Sequence, residues 1–353
     1  MKIIKNSVVA KPATNHTTVT LAMVAKAAGV SSSTVSRILN GTAVVSDTKR
    51  KAIDDAIATL RFVPNLVARG LAGGKSYSVG IITQSLDSPF YGAALRGIEI
   101  ELEAAGYSAL FVSGHWDATE EARCVDVLRS RQVDGIIVLT GRLSDAALKT
   151  LAKQLPVVVT GRSLKSPGLF SLNFDNFEGA RMATERLIVL GHRKIAFVAG
   201  DQQHPDAAER HRGYKAALEQ AGIPYDLNLV VPGMYFEESG VHAIEELIGR
   251  KKPFTAVFAA NDQMAWGVAL GLHRRSIRIP DDISLIGFDD LSVSAYTLPP
   301  LTSVRQPASD LGRLAALSML ELLRGERPVY KVPAPQVIER ESTRNIHKLA
   351  RVA

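Results

Sequence analysis

From Ser78 onward, short Val/Ile-rich runs alternate with amphipathic stretches, and this alternation limits the fold more than any other feature of the chain. The strand candidates are SVGIIT (78–83), SALFVS (108–113), DGIIVL (134–139), PVVVT (156–160), KIAFVA (194–199), TAVFA (255–259) and ISLIG (283–287). Helical runs such as FYGAALRGIEIELEAAG and FEGARMATERLIVLG fill the intervals. Strands apolar along their whole length are covered on both faces, and strands separated by helices return parallel. The span is too long for one small sheet, and a break near Asn176 suits two similar halves. The expectation is an α/β body of two hinged subdomains, each built on a parallel sheet.

The first quarter of the chain is different. Residues 1–75 hold 11 Lys/Arg against Asp47, Asp54 and Asp55, a balance of +8; the remaining 31 basic and 32 acidic residues give −1. A basic head on a near-neutral body points to a polyanionic partner for the head. The 46% hydrophobic content is that of a globular protein. With Cys124 as the single cysteine, a disulfide framework is excluded, and its setting EEARCVDVLRS reads as one face of a helix, a plain buried thiol. The first twenty residues lack the apolar core of a signal peptide, and no run of about 18 apolar residues offers a membrane span. A cytoplasmic protein without a membrane partner is expected.

Within the head, TLAMVAKAAGVSSSTVSRILNG encodes two short helices about a turn. Thr20 caps the first, whose Leu21, Val24, Ala25 and Ala28 follow helical spacing; Gly29 supplies the turn. Ser31 caps the second, with Val30 and Val35 placed as a hydrophobic staple and Val35, Ile38 and Leu39 turned inward. A third helix from Ser46 buries Ile53, Ala56, Ile57 and Leu60. This is a helix-turn-helix, whose second helix enters the major groove N-terminal end first. Ser32, Ser33 and Ser36 then offer hydroxyls, and Arg37 a cationic fork, to bases or phosphates. An ordinary helical hairpin with a solvated face is the competing reading; the charge segregation argues against it.

VARGLAGGKS, residues 67–76, ends like a phosphate-cradling loop. That loop needs a glycine five places before Gly74, where this chain has Arg69, and it needs a strand leading in. The segment is read as a linker, with Lys75 available to a DNA phosphate.

VAKAAGVSSSTVSRILNG resembles the DNA-binding head of the lactose/galactose repressor family, and FVPNLVARGLAGGKS resembles its hinge. The resemblance extends to about Arg344 and implies an all-α helix-turn-helix head joined by a hinge helix to a two-subdomain periplasmic-binding-protein-like sensor. It implies base contacts from Ser32, Ser33 and Arg37, and a minor-groove wedge at Leu71. The full DNA-facing set is Thr20, Ser31, Ser32, Ser33, Ser36, Arg37, Asn40, Asn65 and Leu71. The chain departs from the family at Met23 (usually acidic), at Arg61 (usually glycine) and at Gly70 inside the hinge helix. A left-handed backbone at 61 would strain a non-glycine residue, and Gly70 makes the hinge more dependent on DNA to fold. The expected segments are a disordered lead-in (1–18), the head (19–63), hinge and linker (64–76), the sensor (77–344) and a tail (345–353). The sensor's first subdomain takes 77–176 plus about 306–335, and its second 177–305 plus about 336–344.

Open parallel sheets bind ligands beyond the carboxyl ends of their strands. Polar and aromatic residues at those positions are Ser85, Pro89-Phe90, His115-Trp116, Arg162, Asp201, Tyr235, Asn261-Asp262 and Asp289-Asp290, with Arg210 at the next helix start. Arg, Asn and Asp present paired donors or acceptors to neighbouring hydroxyls, and Tyr235, Phe90 and Trp116 can cover a sugar ring. Taken alone, Asp289 also suits a turn, Phe90 and Trp116 also suit a core, and Arg210 also suits a surface pair. The resemblance, through ERHRGY, AANDQMAWG, LIGFDD and YFEESG, implies ligand contacts from Arg210, Asn261, Asp289 and Tyr235. Arg162 in TGRS is similar to hexose-responsive members, and Ser85 replaces a common aspartate, which leaves the effector's identity open.

Together these give a transcriptional regulator, not an enzyme: there is no Gly-x-Ser-x-Gly, no His-Glu-x-x-His and no metal spacing among the histidines. No cofactor or metal is expected. The expected partners are a palindromic DNA operator, bound as a homodimer, and a small effector, a sugar as in galactose- and glucoside-responsive members, that releases the repressor. The same fold using a co-repressor, or acting as an activator, is the alternative. A sugar-transport binding protein would lack the basic head. The tail IHKLARVA is too short for a tetramerising bundle.

Overall fold

The head helices begin where hydroxyl side chains can satisfy free backbone N–H groups. In a computed structural model of the chain, Thr20 Oγ1 accepts from Met23 N at 3.4 Å to start α1 (Leu21–Ala27), and Ser31 Oγ accepts from Thr34 N at 3.2 Å to start α2 (Ser32–Leu39). The described residues are 19–39, 46–62, 74–201 and 204–347. The lead-in, the hinge helix, Asn40, Asn65, Leu71 and the last six residues fall outside them. Gly29 turns the chain at φ +65°, and α3 (Asp47–Leu60) closes a small core of Val24, Ala25, Val35, Ile53, Ala56 and Phe62. Ile57 and Leu60 reach this core only partly buried, and Ser46 makes no side-chain cap. Arg61 ends α3 in the left-handed region (φ 50°, ψ 42°), the conformation in which its side chain is strained.

The chain divides into two compact units, residues 1–76 and 77–353. The second holds two sheets. One comprises β1 (Ser78–Thr83), β2 (Ser108–Ser113), β3 (Gly135–Val138), β4 (Val157–Thr160) and β5 (Leu169–Leu172), ordered β2-β1-β3-β4-β5 and parallel throughout. The other comprises β6 (Ile195–Val198), β7 (Val230–Val231), β8 (Ala256–Ala259), β9 (Ser284–Asp289), β10 (Thr302–Arg305) and β11 (Gln336–Ile338), ordered β11-β10-β9-β8-β6-β7. Only β11 runs antiparallel, against β10. All seven expected strands are present. The strands β5, β7, β10 and β11 were not anticipated. They are short, and β5, β10 and β11 mix polar with apolar residues: Thr302 and Ser303 are fully buried because their hydroxyls are hydrogen-bonded, not because they are apolar.

Helices cover the strands on both faces. On the first sheet lie α4 (Pro89–Ala104), α5 (Ala118–Ser130) and α6 (Asp145–Leu151); α7 (Asn176–Val189), α8 (Pro205–Gln220), α9 (Glu237–Gly249) and α10 (Asp262–His273) belong to the second. The chain passes from β10 in the second sheet to α11 (Ala308–Leu323), which packs on α4 and the first sheet, and returns to β11. Gly97 and Gly312 both lie in the α4–α11 contact: a Cβ on Gly97 would strike the carbonyl of Ser309, and one on Gly312 the carbonyl of Ala94. In each sheet the strand order reverses direction about one strand, β1 in the first and β6 in the second. The crevices at the carboxyl ends of those two strands position the site.

Candidate functional site

In the head, Ser32, Ser33 and Arg37 stand exposed on α2, while Ser36 is half-buried and lies nearer the core than its sequence position suggested. Ser31 Oγ, at the helix start, lies 2.9 Å from Ser33 Oγ and 2.8 Å from Thr34 Oγ1, so this end presents a run of hydroxyls. Arg37 Nε donates to Ser33 O at 3.3 Å, which lays the guanidinium stem along the same face. Small hydroxyls ahead of a cation let a helix end approach a groove closely.

In the second unit, Arg210 projects from α8 into the crevice of the second sheet and is 4% exposed. Its Nε donates to Asn176 Oδ1 at 2.9 Å, Nη2 to Gln306 Oε1 at 3.0 Å, and Nη1 to the carbonyl of Ala260. The guanidinium lies 3.8 Å over the ring of Phe288 and 3.6 Å from Asp289. Burial pushes the carboxyl of Asp289 up to about 8, against the opposing pull of Arg210. Asp289 itself sits at φ 107°, at the end of β9. Asn261 Nδ2 donates to Tyr235 O at 2.9 Å and its Oδ1 caps α10 through Met264 N, so its amide shapes the pocket wall. Tyr235, also at positive φ, buries its hydroxyl against Gly200 with no hydrogen-bond partner among the described residues. A buried orphan hydroxyl beside an Arg–Asp pair suits a polyhydroxy ligand.

The first sheet contributes Trp116 and the buried Tyr91, with ring centroids 6.2 Å apart. Phe90 packs edge-on to Tyr91 at 5.5 Å and touches the core of the first sheet. The structure thus gathers Trp116, Arg210, Tyr235, Asn261 and Asp289 around one cleft, with Phe90 one ring behind. Ser85 bonds Asp87 within its own loop, and Arg162 donates to the carbonyls of Gly141 and Leu143 and to Asp145 at 3.2 Å, bracing the loop after β3. The neighbouring acids are structural. Asp262, fully buried, accepts from Ser303, Ser294 and Leu291 N, and burial raises it to about 6; Asp290 pairs with Arg305 and Arg340. Cys124 is buried and donates to Ser113 O.

Sequence reasoning missed Tyr91, Asn176, His204 and Gln306. Gln306 follows β10, so reading TSVR as a strand would have found it. His204 lies a few residues further along the same loop as Asp201, beyond the reach of a rule that inspects only the strand end. It is 8% exposed, and burial lowers its basicity although Asp206 opposes this. A further cavity of about 340 Å³ borders the cleft, lined by Gly161, Asn176, Asp206 and Glu209 among others.

A helix-turn-helix joined in one chain to a periplasmic-binding-protein-like body defines a DNA-binding transcriptional regulator. Residues 20–65 match the family of bacterial regulatory proteins of the lacI type, and residues 184–343 match a periplasmic binding protein-like domain. The chain is 36% identical to the HTH-type transcriptional regulator CelR of Thermobifida fusca over 92% of this chain and 98% of that protein. It is 35% identical to catabolite control protein A of Priestia megaterium over 87% and 93% of the two chains. Among solved structures, the lac repressor dimer bound to operator and the anti-inducer ONPF superposes with a TM-score of 0.84 at 29% identity, covering 92% and 99%. A CelR–cellobiose complex superposes at 0.69 with 35% identity, over 92% and 99%. The chain belongs to the lacI family of transcriptional regulators. It is not an enzyme. No helix among the described residues is long and apolar enough to cross a membrane.

Proposed function

We propose that the protein is a cytoplasmic repressor that binds a palindromic operator as a homodimer and is released by a neutral sugar held in the cleft. The observation that carries the effector reading is the buried set of Arg210, Asp289 and the orphan Tyr235 hydroxyl beside Trp116, at the strand ends of two facing sheets. An Arg–Asp pair offers directed donors and acceptors to vicinal hydroxyls, and the aromatic rings cover the apolar face of a pyranose. The complex of the relative CelR with cellobiose supports a saccharide. Arg142, Arg162 and Arg210 each have carboxylate or carbonyl partners inside the chain, which favours an uncharged ligand over a phosphorylated one.

On the DNA side, Ser32, Ser33 and Arg37 read bases, while Thr20, Ser31, Ser36, Asn40 and Asn65 hold phosphates and Leu71 wedges the minor groove. Two heads related by two-fold symmetry match a palindrome. Sugar binding in the cleft shifts one subdomain against the other and separates the paired hinges. Such couplings are worth roughly 1–3 kcal/mol, or 5–150-fold in affinity.

The test is fluorescence anisotropy of the full chain on palindromic DNA from its own upstream region, titrated with galactose, glucose and cellobiose. Release by one sugar supports the reading. Tightened binding would make that sugar a co-repressor, and indifference to all sugars with a response to purines would replace the effector class.

A further inference from the structure

Among the described residues, two contacts run directly between the walls of the cleft. The edge of the Trp116 indole meets the buried His204 imidazole, with ring centroids 4.2 Å apart and planes 62° apart. Arg142 Nη2 reaches Asp201 Oδ2 at 3.1 Å. Trp116 and Arg142 belong to loops following β2 and β3 of the first sheet; Asp201 and His204 belong to the one loop following β6 of the second. On each side the two halves are tied together. Gln84, buried at the end of β1, accepts from Trp116 N at 2.8 Å with Oε1 and donates to Thr140 O at 2.7 Å with Nε2, joining the two first-sheet loops. The fully buried Glu121 takes both Arg142 N and Leu143 N at 2.8 Å. Opposite, His204 N donates to Asp201 O at 2.9 Å. His115 and Trp116 are both held at positive φ, a conformation that persists only where the surroundings fix it.

The geometry points to a two-point latch: Trp116–His204 and Arg142–Asp201 together hold the cleft shut, and effector exchange requires both to open. This goes beyond binding, because both contacts are made within the chain without sugar. It rests on reading the cleft as the effector site. The buried Arg210 and Asp289 lie on the same strand-end side of the second sheet as Asp201 and His204, and the Tyr235 ring stands 5.5 Å from His204 and 5.8 Å from Arg210. The halves differ in chemistry. Arg142 and Asp201 keep 34% and 26% of their side-chain surface in solvent, so added salt screens them. The Trp116–His204 contact is an aromatic edge contact that salt leaves intact.

The chain has two tryptophans, Trp116 and Trp266. In a full-length Trp266→Phe background, acrylamide quenching reports the exposure of Trp116 without any sugar, so failure of the latch is distinguishable from failure of the effector reading. Arg142→Gln is expected to raise the open population, and the quenching with it, by about two- to fivefold, the scale of one half-exposed ion pair. Raising NaCl from about 0.05 to about 1 M should increase quenching in the parent and not in Arg142→Gln. His204→Ala should increase quenching and keep the salt response. Should Trp266→Phe fold poorly, amide hydrogen exchange of segments 114–118 and 204–207 in the unmodified protein at the two salt concentrations gives the second reading, with faster exchange expected at high salt. Quenching and exchange unchanged in Arg142→Gln and His204→Ala, or a salt response surviving in Arg142→Gln, would overturn the latch.

Discussion

The guanidinium of Arg210 lies 3.6 Å from the carboxylate of Asp289, and both side chains are almost wholly buried. The arginine is fixed by Asn176, Ala260 and Gln306 rather than by the aspartate alone. Lysine keeps the charge but cannot reach three acceptors in one plane. Arg210→Lys is therefore expected to lose about 1–3 kcal/mol of stability through the stranded partners and to abolish effector response while operator binding persists. Thermal unfolding and anisotropy with sugar check it; an intact sugar response would remove Arg210 from the site.

Asp289 also sets a pH dependence. Its folded value, about 8, lies above the ordinary carboxylate value of 3.8, so folding takes up a proton. The stability this gives is full below about pH 4 and is lost as the pH rises through about 8. Asp262 has levelled off above about 6, and the buried His192 and His204 and the half-buried His211, whose basicity burial lowers, act below 6.5. Between about pH 6.5 and 8 the parent should lose roughly 1–2 kcal/mol that Asp289→Asn does not lose. Urea unfolding across that window decides; parallel curves for the two proteins count against the assignment.

Gly267 on α10 packs where a Cβ would strike the carbonyl of Glu237 at the start of α9. Backbone cannot move aside as a flexible side chain can. Gly267→Ala, which would raise helix propensity at an exposed position, is expected here to destabilise by about 1–3 kcal/mol. Calorimetry of the full chain measures this, and a neutral result would mean that the two helices are not in contact.

Arg61 carries the strain anticipated for a non-glycine residue at the end of α3. Arg61→Gly relieves a left-handed cost of roughly 1–2 kcal/mol and gives part of it back as unfolded-chain entropy. A net gain of about 0.5–1 kcal/mol is expected, seen as slower amide exchange in 47–60. Faster exchange there would show that the arginine side chain itself holds the turn.

Arg37→Ala should weaken specific operator binding by about 1–3 kcal/mol and leave sugar affinity unchanged. If Arg37 holds only a phosphate, operator and scrambled DNA lose affinity equally, and anisotropy on both sequences separates the two roles.

Much of this was legible from one sequence. The central strands are short apolar runs with polar residues only at their ends, so the period is not confused, and the head's caps Thr20 and Ser31 work where their spacing put them. The missed strand β10 shows the limit: Thr302 and Ser303 look like loop residues until Asp262, some forty positions earlier, arrives to accept the Ser303 hydroxyl. Asn261 and Asp262 likewise stand side by side in the sequence, yet one shapes the cleft wall and the other is a buried structural acid.

Sequence alone determined the two-part plan and the parallel sheets and pointed to several residues at the strand ends, because periodicity, caps and charge balance are local properties. Only the tertiary structure decided which of those residues meet. Arg210 faces Asp289, Trp116 faces His204 and Arg142 faces Asp201 across gaps of 59 to 88 positions in the chain. Side-chain chemistry acts through distance and burial, and both are set by which strand ends the fold brings together.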